Sequence, residues 1–144
     1  MSVQNEALIH RWFDEVWNRR REEAIDEMMV DDVVAKGLPP EPINSREAFR
    51  QFYRLFIAAF PRLSISVEEV ISKRDRLAYR ARLRATHRSG RSCTVDGAGF
   101  VRIRRGRLTA GHNIWNFHEL LEQLEAAPPN SVMNAVQSGE PSAR

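Results

Sequence analysis

At 144 residues the chain has the length of one domain rather than two. Its 42% hydrophobic and 28% charged residues are ordinary globular usage, which excludes wholesale disorder and collagen-like or mucin-like sequence. The net charge is only +3, and nearly every base is arginine, with lysine only at Lys36 and Lys73. Arginine is scattered rather than gathered in a tail, and no aromatic platform interleaves with it, so no nucleic-acid partner is expected. The longest apolar run, Leu55 to Phe60, falls far short of the roughly 20 residues of a membrane helix. The first residues carry neither a charged leader nor an apolar core, so the expectation is a cytoplasmic protein with no membrane contact. A lone Cys93 cannot form an internal disulfide or a cysteine-based zinc site.

The first periodic segment runs from about Asn5 to Arg19. Leu8, Ile9, Trp12, Phe13, Val16 and Trp17 form a broad apolar stripe at helical spacing, with His10, Arg11, Asp14 and Glu15 on the wet face. A second helix is predicted over Arg21 to Met29, broken by Asp31-Asp32 ahead of a short apolar stretch, Val33-Val34-Ala35. Gly37 to Asn44 holds three prolines in eight residues and forbids regular pairing. Ser45 is placed to cap a third helix reaching Ala59, which buries Phe49, Phe52, Tyr53 and Phe56.

Beyond Pro61 the period changes from 3.6 to 2. Leu63, Ile65, Val67 and Ile71 alternate with polar residues. Leu77, Tyr79, Ala81, Leu83, Ala85 and His87 then alternate with a row containing Arg80, Arg82 and Arg84. A third strand is predicted over Cys93 to Arg104 and a fourth from Arg107 to about Trp115, followed by a helix over Phe117 to about Ala126. The single domain therefore covers residues 1–127, and the polar segment 128–144 is expected to be a disordered tail. Three helices, four meandering strands and a last helix make an α+β pattern. A curved antiparallel sheet wrapped over the first helix would enclose a cone with one open mouth.

Three stretches in this order resemble a known family. They are the Trp12-Phe13 helix leading to EMMVDDVV, then SREAFRQFYRLFIAAFP, then the run YRARLRATHRSG, GFVRIRRGRL and NIWNFHELLEQL. Together they are similar to the SnoaL-like polyketide cyclases of the NTF2-like superfamily, over about residues 6 to 125. The resemblance implies an α+β cone, usually a homodimer, with a deep hydrophobic pocket for a small-molecule substrate and no metal or organic cofactor. It also implies acid/base chemistry beside a carbonyl, an intramolecular aldol closure served by an aspartate at the end of the last strand. The matching residue here is Asn116, and an amide cannot exchange a proton near neutral pH. Another base, a changed reaction such as hydroxylation or isomerisation, or a pocket that only binds are the alternatives this departure opens.

Strict alternation along the last strand puts Leu108, Ala110, His112, Ile114 and Asn116 on one face, taken as the pocket face because it holds the matched position. His112 is then the candidate acid/base, since an imidazole titrates near pH ~6.5, with a backbone-satisfied histidine as the alternative. Asn116 is either a carbonyl or oxyanion donor or the first residue of a capping box with Glu119. His87, on the Thr-His turn, is an auxiliary candidate at the pocket rim. Tyr79, Trp12, Phe13 and Tyr53 are candidate substrate-binding walls. Glu69 falls on the dry face by simple alternation, where it could serve as a base, unless a β-bulge at Glu68-Glu69 turns both outward. Asp96 can face either way. The arginine row is a solvated or dimer-facing surface, or a landing surface for an acidic carrier protein. His10, His87, His112 and His118 lack ligand spacing with carboxylates, so no metal is expected.

Overall fold

A computed structural model of the chain describes residues 2–39, 42–127 and 131–138. Helix α1 (Ser2–Arg11) runs without a break into a π-helix over Trp12–Asn18. The wider turn shows in the Arg19 N–H, which donates to the Asp14 carbonyl five residues back at 2.8 Å. The apolar stripe read from the sequence is the buried one, Val16 completely so. Two ties hold the π segment to its neighbours. The Tyr53 hydroxyl donates to the Val16 carbonyl at 2.8 Å, and the Asn18 amide exchanges hydrogen bonds with the Ile65 backbone at 2.9 and 2.7 Å.

Helix α2 (Glu23–Met28) leads directly into strand β1 (Met29–Lys36), and α3 (Arg46–Ala59) follows the proline-rich turn. Ser45 caps α3 as its sequence suggests, its side chain accepting from the Ala48 N–H at 3.0 Å. Strands β2 (Arg62–Lys73), β3 (Arg76–Thr86), β4 (Ser92–Arg104) and β5 (Arg107–Trp115) form an antiparallel meander, and α4 (Phe117–Gln123) follows. The sheet order is β1-β5-β4-β3-β2, with β1 parallel to β5. The architecture is α+β, a curved sheet with the N-terminal helices packed on its inner face. None of the described helices is long and apolar enough to cross a membrane.

The sheet has five strands where alternation gave four. Asp31 and Asp32 read as a helix stop, yet they lie inside β1 on the sheet edge, where their exposed side chains need no dry partner. Asp31 pairs with Arg46, and charge on an edge strand also discourages pairing with another chain. Within the segment expected to be a disordered tail, Ser131–Ser138 form a helix, α5. Residues 128–130 and 139–144 of that segment lie outside the described residues.

Two register shifts decide which side chains face inward. On β2, Val67 pairs with Ala81 and Glu69 with Arg80, so Glu68 is an extra residue. On β5, Ile103 pairs with Leu108 but Arg102 pairs with Ala110, which leaves Thr109 as the extra residue. The Thr109 hydroxyl donates to the Arg102 carbonyl at 3.2 Å across this bulge. Because side chains alternate with period 2, one inserted residue reverses the facing of everything beyond it. Leu108 points into the core, and past the bulge Gly111, Asn113 and Trp115 take the inner face while His112 and Ile114 turn to solvent.

Candidate functional site

The inner face and the helices enclose an apolar cavity of about 90 Å³. Trp12, Phe13 and Trp17 of the π segment, with Phe49 and Phe52 of α3, supply its aromatic wall. Trp17 stands edge-on to Phe49, Phe52 and Tyr53 at centroid distances of 6.4, 6.2 and 5.1 Å, the arrangement that ring quadrupoles favour. As it stands, the space is below the roughly 150 Å³ that accommodates a benzene ring, so a larger ligand must displace side chains of this wall.

Polarity enters at one place, where three strands meet. Tyr79 on β3, Gly99 on β4 and Asn113 on β5 are successive cross-strand partners. A Cβ built on Gly99 would lie 2.4 Å from the Tyr79 ring, so the absence of a side chain there lets the ring lie flat on the sheet. The same device recurs one pair along: a Cβ on Gly97 would lie 2.1 Å from the Trp115 indole. Laid across Gly99, the Tyr79 hydroxyl donates to Asn113 Oδ1 at 2.7 Å, and Asn113 Nδ2 donates to the Lys36 carbonyl at 3.2 Å. The two bonds together fix which way the amide points.

Burial pushes the Tyr79 phenol well above its ordinary range, opposed in part by a hydrogen bond from the Trp115 indole to its oxygen. Tyr79 is therefore a neutral hydroxyl near pH 7, a donor and acceptor rather than a base. Phe13 packs on it with ring centroids 5.0 Å apart. Among the described residues no carboxylate, imidazole or amine lines the cavity, and no group of three or more His, Cys, Asp or Glu side chains could hold a metal ion. The arrangement can accept an apolar body and hydrogen-bond to one oxygen of it.

Of the residues singled out in the sequence, Trp12, Phe13 and Tyr79 lie on the cavity wall. The others lie elsewhere. His112 stands on the outer face beside Phe100, exposed, because the Thr109 bulge reverses the alternation that placed it inside. Asn116 forms the capping box: its Oδ1 accepts from the Glu119 N–H at 3.1 Å, and its Nδ2 donates to Glu119 Oε2 at 2.8 Å. His87 sits in the β3–β4 turn, its Nδ1 accepting from the Ser89 N–H at 3.1 Å and its ring edge-on to Phe60. Tyr53 is buried but away from the cavity, holding Val16. Glu69 is turned outward by the β2 bulge and faces Arg80 at 3.4 Å. Asp96 also faces outward, its carboxyl held below the usual range by the Arg82 guanidinium at 2.8 Å.

Asn113 and Trp115 are the site residues that alternation hid. A signal for them does exist. Gly97-Ala98-Gly99 on β4 leaves two gaps on one face, and large neighbours must fill them from the adjoining strands.

The sequence matches a family model described as SnoaL-like polyketide cyclase over residues 7–124. None of the curated proteins matches it significantly. Among solved structures, one described as a candidate SnoaL-like polyketide cyclase from Jannaschia sp. CCS1 superposes with a TM-score of 0.78 at 20% identity, over 88% of this chain and 94% of that one. IdmH, described as a candidate polyketide cyclase from Streptomyces antibioticus, gives 0.74 at 23% identity over 83% and 97%. AclR, described as a candidate hydroxylase from Streptomyces galilaeus, gives 0.76 at 22% identity over 89% and 99%. At these identities the likeness establishes a shared fold.

Proposed function

The chain belongs to the SnoaL-like polyketide cyclase family, and from that premise we propose that its cone binds an apolar, carbonyl-bearing small molecule and promotes aldol-type ring closure by hydrogen-bonding to the carbonyl oxygen. The supporting observation is the neutral Tyr79 hydroxyl, seated beside Asn113 in an otherwise apolar cavity. When a proton leaves the carbon next to a carbonyl, negative charge develops on the carbonyl oxygen. A preorganised donor aimed at that oxygen in a dry site stabilises the transition state by roughly 2.7–4 kcal/mol in other enzymes. Tyr79 can turn its O–H from Asn113 to the substrate oxygen, and the Asn113 amide, held by the Lys36 carbonyl, keeps the phenol oxygen in place between turns. Among the described residues no side-chain base lines the cavity, so one water carried in with the substrate takes the carbon proton. The enolate carbon then bonds to the second carbonyl carbon, and the same water returns the proton to that carbonyl's oxygen, which leaves the closure proton-neutral.

A second reading rests on that same lack of a wall base: a module that binds such a molecule without converting it. One experiment separates the two. The protein is incubated with a linear aromatic polyketone ester, with tryptophan fluorescence reporting binding and chromatography reporting the cyclised product. Catalysis by the donor requires Tyr79→Phe to slow turnover about a hundredfold, equivalent to ~2.7 kcal/mol, while binding weakens less than tenfold. Equal turnover by Tyr79→Phe overturns the mechanism. A tightly bound ester recovered unchanged from the parent protein establishes the binding module instead.

A further inference from the structure

Two aromatic side chains cross β4 from opposite sides. Tyr79 comes from β3 over Gly99, its hydroxyl oxygen 2.7 Å from where a Cβ would stand on that glycine. Trp115 comes from β5 over Gly97, with indole Cδ2 and Cε2 at 2.1 and 2.5 Å from the corresponding point. Gly97 and Gly99 are successive positions on one face of the strand, roughly 7 Å apart, so the two rings meet above it. Cε2 carries the indole nitrogen, and its N–H donates to the Tyr79 oxygen. The cyclase reading uses the phenol and the Asn113 amide and leaves this third group without a role.

A hydroxyl has one proton to give and two lone pairs to receive with, whereas an indole only donates. With the indole N–H on one lone pair, the Tyr79 proton has no acceptor in Trp115. Its partners are Asn113 Oδ1, where it stands at 2.7 Å, or an oxygen that enters the cavity. Donation into the phenol oxygen also polarises the O–H, as linked hydrogen bonds do where the dielectric is low. The effect grows along the reaction. As charge builds on the substrate carbonyl, the shared proton moves toward it and the phenol oxygen takes on negative character. The indole bond then becomes charge-assisted, about twice as strong as a neutral one.

We propose that Trp115 is a positioning residue for the donor, its indole N–H holding the Tyr79 oxygen so that the phenol proton is aimed at the substrate carbonyl. This rests on the cyclase reading and adds the group that makes a neutral phenol an effective donor. Filling the gap at Gly97 requires only a flat ring. Holding the phenol requires the N–H.

Trp115→benzothienylalanine, introduced in the full chain with Trp12 and Trp17 unchanged, keeps the bicyclic ring and puts sulfur where the N–H stood. Superimposable circular dichroism melts establish that the variant folds. With the linear aromatic polyketone ester, kcat is expected to fall about tenfold while KM stays within threefold, because the bond gains strength only in the transition state. In a Tyr79→Phe background the same replacement should cost nothing more, since it acts through the phenol. A readout that needs neither turnover nor a Trp115 variant is the indole proton resonance of Trp115, which should move upfield in Tyr79→Phe as its acceptor is lost. An unmoved resonance overturns the proposal. So does full turnover by the benzothienyl variant, a rise in KM that accounts for its whole loss, or an added loss in the Tyr79→Phe background. If Tyr79→Phe still slows turnover a hundredfold in any of these cases, the cyclase reading survives without Trp115. Equal turnover by Tyr79→Phe removes both together.

Discussion

Replacing Gly99 by alanine tests the site where the Tyr79 ring lies on the sheet. The new methyl would lie 2.4 Å from Tyr79 Cε2 and 2.7 Å from Cζ and Oη. Carbon atoms settle at about 3.5–4.0 Å, so the ring must retreat by about 1 Å or more. Phe13 stands behind it at 5.0 Å between centroids, and a retreat of that size stretches the 2.7 Å bond to Asn113 past hydrogen-bonding range. Overpacking of this kind costs about 1–3 kcal/mol, and the lost hydrogen bond about 1 kcal/mol. Alanine recovers about 0.5–1 kcal/mol over glycine in a strand interior. The net is about 2 kcal/mol, or a melting temperature lower by about 7 °C for a domain of this size. Urea unfolding of the single and double variants provides the assay. In a Tyr79→Ala background the methyl enters vacated space, so Gly99→Ala should become neutral or stabilising, a coupling of about 2–3 kcal/mol. An equal cost of Gly99→Ala in both backgrounds refutes the packing of Tyr79 on Gly99, and with it the placement of the phenol.

Asn116→Ala removes the cap of α4 and should destabilise by about 1 kcal/mol in urea unfolding while leaving turnover of the folded protein unchanged. Asn116→Asp keeps the acceptor for the Glu119 N–H but sets a carboxylate oxygen against Glu119 Oε2 where the amide donated, so it should recover only part of that stability. His87→Ala, remote from the cavity, should leave turnover within twofold of the parent protein, and a hundredfold loss would reinstate it as a catalytic group. The buried phenol gives a pH dependence of known sign. Below the unfolded-state tyrosine pKa of about 10 both states hold the proton, and Tyr79 adds no slope. Above it the unfolded chain releases a proton that folded Tyr79 retains, so stability falls as pH rises, by up to ~1.4 kcal/mol per pH unit. Tyr79→Phe should flatten that loss between pH 10 and 11 in denaturant titrations at each pH. An unchanged slope would place the phenol in water.

The elements that repeat a pattern over many residues were legible. The helical stripe from Leu8 to Trp17, the Ser45 cap and the alternation from Leu77 to Ala85 each carry several consistent positions, and all three occur as read. Strand β1 was not legible because its pairing comes from β5, some eighty residues away. Its own sequence, with two aspartates at its centre, argues locally for a break. The α-to-π change at Trp12 leaves no trace in the stripe either, since Trp12, Phe13, Val16 and Trp17 share one face under either winding.

The site failed to be legible for a narrower reason. Alternation is a phase measurement, and a phase is carried along a strand only until the first irregularity. From Leu108 to Asn116 strict alternation describes the first residue and is inverted beyond it, because Thr109 takes a place in the chain without taking one in the ladder. The side chain that does this is a β-branched residue with an oxygen able to satisfy a neighbouring carbonyl, and it resembles any other strand threonine in sequence. The opposite strand carries the missing information. Gly97 and Gly99 lie on the same face as Val95 and Val101, so they mark where that face is hollow, and a hollow beside β5 has to be filled by its bulkiest residue. Trp115 meets that demand and Asn116 does not. Fixing Trp115 inward places Asn113 inward two residues earlier and sends His112 out. Phase should therefore be set from the glycines of the neighbouring strand and counted back from the aromatic that covers them, which brings out Tyr79 and Asn113 as the polar pair of the cone.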